Sequence, residues 1–170
     1  MKLFVDCDGV LTNFDKAVQA LGPEVAKGLS DDAPETDKQV MYDAIEKAGE
    51  SFWSKMEWTP NGKELWEVVK NFNPVLLSSP GRFSAAPSGK ILWVKNNLPG
   101  TTLFLSENKS DYVDPYELSV LIDDMKKNIG AWEEAGGEGI LHTSTADTER
   151  KFLELLWNVP EILDPSKIYW

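Results

Sequence analysis

Short apolar runs alternate along this chain with stretches of helical periodicity. Leu3-Phe4-Val5 is a continuous apolar run that stops at Asp6, and Pro74 to Pro80, Thr101 to Ser106 and Ser119 to Asp124 repeat the pattern, each ending in polar residues. Strands buried on both faces of a parallel sheet read this way, because neither face meets water. A fifth, shorter strand is expected near Gly139 to His142. Elsewhere apolar positions recur at helical spacing: Phe14, Ala17, Val18, Leu21 and Val25, broken at Gly22-Pro23, then Val40, Tyr42, Ala44, Ile45 and Ala48. Leu65, Trp66, Val68 and Val69 mark an amphipathic helix over 61–72, and the polar stretch from Ser30 to Asp37 reads as a solvated loop. Ser88 as N-cap predicts a helix over 89–97. Two further helices are expected, one running to Ala135 before Gly136-Gly137 and one over 146–157.

Strands alternating with helices imply right-handed crossovers and an α/β fold with a doubly wound, parallel, five-stranded sheet. No strand signal occurs between the first run and residue 73, so a helical insertion of roughly fifty residues is expected there. The division that follows is a core domain from 1–14 and 73–170, with a helical cap over 15–72 that ends in the helix returning to the core.

Composition narrows the partners. A chain of 170 residues with 42% hydrophobic content and 11% aromatics fits one domain with a sizeable core. A net charge of −11 argues against a nucleic-acid polymer, since backbone binding relies on basic patches, and leaves room for a small anion in a locally positive pocket. One cysteine, Cys7, excludes an internal disulfide and has no second cysteine or histidine nearby to hold zinc. No signal peptide and no run of eighteen apolar residues is present, so a soluble cytoplasmic protein without a membrane partner is expected.

Candidate chemistry gathers where the apolar runs end. Ligands bind at the carboxyl ends of parallel strands, and Asp6 and Asp8 sit at the first such end, followed by Gly9. Asp6 offers a carboxylate oxygen and Asp8 its backbone carbonyl, hard oxygen donors of the kind that suit Mg²⁺. An ordinary acidic turn is the competing reading. An EF-hand loop fails, because its sixth and twelfth positions hold Leu11 and Ala17 instead of glycine and glutamate. Asp123 and Asp124 end the fourth run, where two adjacent carboxylates are costly without a counterion, and would close the cation site. Gly89-Lys90 lacks the spacing of a P-loop, and His142, the only histidine, has no assigned role.

The run Asp6-Cys-Asp8-Gly-Val-Leu-Thr-Asn-Phe14, the later Ser78-Ser79-Pro80 and Ile122-Asp123-Asp124 resemble the haloacid dehalogenase superfamily of phosphohydrolases, and within it the 5′(3′)-deoxyribonucleotidases. The resemblance implies Asp6 as nucleophile and Asp8 as acid and then base. Mg²⁺ would be held by Asp6, Asp8 and Asp124, with Asp123 holding a metal-bound water. It further implies Ser78 and Ser79 as donors to the phosphoryl group and Lys109 as the neutralising lysine, with Lys90 as its rival. Glu107 or Asn108 stands where that group often has arginine. Phe14 would line a base pocket, helped by Phe52, Trp53 and Trp58 from the cap. The implied activity is hydrolysis of (deoxy)nucleoside monophosphates. Hydrolysis of another small phosphate ester, and a non-catalytic binding protein of the same fold, are the alternatives, and a homodimer stays open.

Overall fold

The computed structural model describes residues 1–158, so positions 159–170 of the expected core segment lie outside the described residues. The elements in chain order are β1 (Lys2–Val5), α1 (Phe14–Ala20), α2 (Pro23–Ala26), α3 (Glu35–Ala48), α4 (Glu50–Ser54), α5 (Gly62–Val69), β2 (Val75–Ser78), α6 (Ala86–Asn97), β3 (Leu103–Leu105), β4 (Ser119–Asp123), α7 (Lys126–Glu134), β5 (Glu138–Leu141) and α8 (Thr145–Asn158). Short 3₁₀ turns at Lys27–Leu29, Lys70–Phe72 and Lys109–Tyr112 complete the set.

The five strands pair in parallel in the order β3-β2-β1-β4-β5. Val5 is level with Leu76 and with Ile122, so the central strands end together and Asp6, Ser78 and Asp123 emerge on one edge of the sheet. The order of connection reverses beside β1, which is where open α/β sheets leave a crevice.

Each buried strand serves both faces. Leu3, Val5, Leu76, Val120 and Ile122 point into the larger core with Leu65, Trp93 and Phe152, while Phe4, Leu77 and Leu121 meet Ile129 and Trp132 on the other side. Phe4 and Trp132 pack edge to face, with ring centroids 5.2 Å apart. Trp132 Nε1 donates to the Ser119 carbonyl, so its one polar atom is satisfied within the core.

The helices between β1 and β2 share the larger core with the sheet. Val18, Met41, Ile45, Phe52, Trp53 and Met56 belong to the same cluster as Leu3, Val5 and Trp93. Trp93 Nε1 of α6 donates to the Met56 carbonyl across this junction. Gly89 allows α6 to lie against α4, because a Cβ there would stand 2.4 Å from Trp53 Cβ and 2.8 Å from the Glu50 carbonyl oxygen.

Three local expectations differ from the structure. Helix α6 begins at Ala86, so Ser88 does not cap it but lies in its first turn and donates to the Ala85 carbonyl. Pro87 stands in that first turn, where its missing N–H costs nothing. Helix α3 starts at Glu35, inside the stretch expected to be loop, with Glu35 and Asp37 placed where negative charge complements a helix N-terminus. The third strand is confined to Leu103–Leu105. Among the described residues no helix is long and apolar enough to cross a membrane.

Candidate active site

Four backbone segments converge on one group of charges. Asp6 extends β1 by one residue, its N–H donating to the Ile122 carbonyl, and is 6% exposed. Asp123 ends β4 and is fully buried. Lys109, in the turn after β3, is buried between them, with Nζ 2.9 Å from Asp6 Oδ1 and 2.5 Å from Asp123 Oδ2. Asp6 Oδ1 also accepts from Cys7 N–H at 2.7 Å.

Asp123 has little capacity left. Its Oδ1 accepts from Met125 N–H and Asn128 Nδ2, and its Oδ2 from Lys109 and Asn128 Nδ2. Through these bonds Asp123 fixes Lys109 and the start of α7. Asp124 turns the other way, against Gly9. Gly9 adopts φ +79°, a conformation that favours glycine, and a Cβ there would lie 2.0 Å from Asp124 Oδ2.

Carboxylate oxygens of Asp6, Asp123 and Asp124 lie within 4.8 Å of one another. Three negative charges then face one ammonium, Lys109. Burial pushes the Asp6 carboxyl up to about 6, with Lys109 pulling it back and Asp123 and Asp8 adding to the rise. Asp124 is exposed at the cleft, and partial loss of water around its carboxyl, followed by repulsion from Asp6 and Asp123, lifts it to about 7. Burial works against the charge on Lys109, but Asp6 and Asp123 outweigh it and its pKa is raised. A surplus of hard oxygen donors around a single ammonium is a donor set that fits a divalent cation, with Asp6 and Asp124 as the carboxylates that have coordination to spare.

Asp8 lies beside this cluster. Its Oδ2 is 2.7 Å from Lys90 Nζ, and its Oδ1 accepts from Thr12 Oγ1 at 2.9 Å. Lys90 Nζ also donates to Ser78 Oγ at 3.0 Å and to the Ser79 carbonyl at 2.6 Å. Both lysines are thus at the site, Lys109 on Asp6 and Lys90 on Asp8.

A cleft of about 890 Å³ opens above these groups. Asp6, Asp8, Ser78, Ser79, Lys109 and Asp124 form its floor, and Phe14 is the predicted aromatic that reaches it. Phe52 and Trp53 are buried in the core, their rings 5.0 Å apart, and Trp58 packs on Trp93 at 4.9 Å. These three do not line the cleft, because the insertion uses them to fill its junction with α6. The far wall holds residues that carried no assignment: Asn61 and Thr59 before α5, Asn128 of α7, His142 to Ser144 between β5 and α8, and Thr145 at the start of α8. His142 Nδ1 pairs with Thr148 Oγ1 at 2.8 Å, and burial lowers its pKa. A polar residue just past a strand's carboxyl end is the one sequence signal that marks His142.

No protein-family model matches the chain, and no curated protein matches it. Solved structures do. A haloacid dehalogenase-like hydrolase from Streptococcus pneumoniae superposes with a TM-score of 0.55 at 16% identity, over 92% of this chain and 96% of that one. The chain has the haloacid dehalogenase-like fold. A hydrolase from Pseudomonas syringae gives a TM-score of 0.48 at 15% identity, over 88% of each chain. A haloacid dehalogenase family enzyme from Bacteroides thetaiotaomicron gives 0.47 at 17% identity, over 89% of this chain and 97% of that one. In the haloacid dehalogenase-like fold of this chain, the Asp6, Asp8, Ser78 and Asp123 positions all stand at strand carboxyl ends.

Proposed function

We propose that this protein is a Mg²⁺-dependent phosphomonoesterase that works through an aspartyl-phosphate on Asp6. The observation that carries the reading is the buried Lys109 held 2.9 Å from Asp6 at the floor of a polar cleft, within a cluster of carboxylates that has more negative charge than it can balance. A nucleophilic carboxylate, an acid beside it and fixed positive charge are what phosphate-ester cleavage requires.

Asp6 Oδ1 is committed to Lys109 and the Cys7 N–H, which leaves Oδ2 to attack phosphorus. The Oδ2–P bond forms, the bond from phosphorus to the ester oxygen breaks, and Asp8 gives its proton to the leaving oxygen. Water then attacks the same phosphorus, Asp8 takes the water's proton, and the bond to Asp6 breaks to release inorganic phosphate. Ser78 and Ser79 line the cleft, and their N–H or O–H groups are the donors we assign to the phosphoryl oxygens. Bound at Asp6 and Asp124, Mg²⁺ would offset the carboxylate charge and withdraw electron density from the phosphoryl group.

For the substrate we favour a nucleoside monophosphate, in keeping with the resemblance to the 5′(3′)-deoxyribonucleotidases and with Phe14 on the cleft wall as a stacking surface. The polar far wall, Asn61, Thr143 and Ser144, favours a second reading, the phosphate of a small polyol. Release of phosphate from p-nitrophenyl phosphate with Mg²⁺ and with EDTA tests the reaction. A panel of 5′- and 3′-nucleoside monophosphates against sugar and glycerol phosphates tests the substrate. Activity abolished by EDTA and restored by Mg²⁺, with nucleotides preferred, is the expected result. No turnover of any ester under any condition points to a binding protein.

A further inference from the structure

Lys90 stands in the sequence as a rival for the phosphate-binding lysine, but its surroundings give it a different task. It is 5% exposed, and it is not among the residues that line the cleft. An ammonium has three protons to donate. Lys90 Nζ donates to Ser78 Oγ at 3.0 Å and to the Ser79 carbonyl at 2.6 Å and is ion-paired with Asp8 Oδ2 at 2.7 Å, so its charge and its bonds are taken up within the protein. The Trp53 ring lies 5.2 Å from Nζ on another side and shields the ammonium from water, so its attraction for Asp8 is little screened. Asp8 meanwhile is held at its other oxygen by Thr12 Oγ1, itself buried, and still lines the cleft.

We propose that Lys90 is a positioning residue: together with Thr12 it grips Asp8 by both carboxylate oxygens and aims it at the leaving group and then at the attacking water. The same contacts tie the turn after β1 to the end of β2, so that Asp8 and the Ser78-Ser79 segment keep a fixed separation. The inference rests on the reading of Asp8 as acid and base given above. A misaimed acid or base forfeits part of the roughly 10²–10⁴-fold that general acid–base catalysis contributes.

Transient and steady-state kinetics of Lys90→Met, Thr12→Val and Thr12→Ser, compared with wild type on p-nitrophenyl phosphate and on an alkyl phosphate, separate this role from phosphate binding. p-Nitrophenolate leaves without a proton, so phosphorylation of Asp6 is spared while hydrolysis of the intermediate is not. Lys90→Met and Thr12→Val are therefore expected to show a burst of p-nitrophenol followed by a steady rate about tenfold or more below wild type. Alkyl phosphate, which needs the acid as well, is expected to show the same or greater loss with no burst. Inhibition by inorganic phosphate is expected to stay within about twofold of wild type, and Thr12→Ser, which restores the hydroxyl, to recover the steady rate. Thr12→Val is isosteric and carries the test if Lys90→Met does not fold. Phosphate inhibition weakened as much as turnover, or burst and steady rate falling together, overturns the proposal. A wild-type protein with no activity on either ester overturns the reading of Asp8 itself, and is told apart from these by the absence of any rate to compare.

Discussion

Gly9 and Asp124 touch more closely than any other residue at position 9 would permit, since a Cβ there would stand 2.0 Å from Asp124 Oδ2 on a backbone with φ +79°. Gly9→Ala meets both penalties. The left-handed conformation costs a non-glycine residue roughly 1–2 kcal/mol, and the clash must be relieved by displacing the Asp124 carboxylate from its place beside Gly9. The expected outcome is a lower unfolding midpoint in urea together with Mg²⁺ affinity at least about tenfold weaker by calorimetric titration. Unchanged Mg²⁺ affinity in a destabilised variant would remove Asp124 from the cation site.

Asp124 also gives the metal-free protein a pH dependence with a definite sign. Its carboxyl, raised to about 7, and that of Asp6, raised to about 6, bind protons more readily folded than unfolded. Folded protein then holds more protons than unfolded between about pH 7 and the ordinary carboxylate value near 4, so the stability lost to these groups at high pH is regained as pH falls through 7 and 6. His142, with a lowered pKa, works in the opposite direction in the same range. Comparing wild type with Asp124→Asn cancels that contribution. Without metal, Asp124→Asn is expected to be the more stable protein at pH 8, with an advantage that shrinks steadily towards pH 5. Saturating Mg²⁺ at pH 8 should reverse the order, because the ion binds the folded wild type. Urea unfolding at a series of pH values checks this, and an advantage that does not vary with pH contradicts it.

The aromatics divide into one that faces the cleft and three that do not. Phe14→Ala is expected to lower kcat/KM for a nucleoside monophosphate about five- to a hundredfold, from the 1–3 kcal/mol that base–aromatic stacking supplies, while sparing p-nitrophenyl phosphate. Trp53→Ala and Phe52→Ala empty buried space and are expected to cost about 3–5 kcal/mol of stability, with equal effects on both substrates. Steady-state kinetics alongside thermal unfolding separates the two patterns.

The sheet was legible because Leu3-Phe4-Val5, Val75-Leu76-Leu77 and Val120-Leu121-Ile122 are buried on both faces and must be apolar without interruption. Their polar successors were legible for the same reason, since the apolar run stops where the sheet ends. Helix starts were harder. The signals at Pro34-Glu35 and Ala86-Pro87 were present, but polar composition around them and a capping serine two residues on pointed elsewhere. Which side of an aromatic faces a cavity is not a local property, so Phe14 and Trp53 could not be told apart before the packing of α4 on α6 was known. Likewise Asn61 and Thr145 lie 84 positions apart, and only the topology joins them, with Thr145 Oγ1 donating to the Asn61 carbonyl at 3.1 Å.

The central claim is that Asp6 is the nucleophile, and the mass of the protein after reaction tests it most directly. Asp8→Asn, mixed with p-nitrophenyl phosphate and Mg²⁺ and quenched in acid, is expected to gain the mass of one phosphoryl group on the peptide that contains Asp6, because a good leaving group departs without the acid while hydrolysis of the intermediate stalls. The Asp6→Asn, Asp8→Asn double variant is expected to gain none. A phosphoryl group on any other residue, or steady turnover that survives Asp6→Asn, would contradict the account.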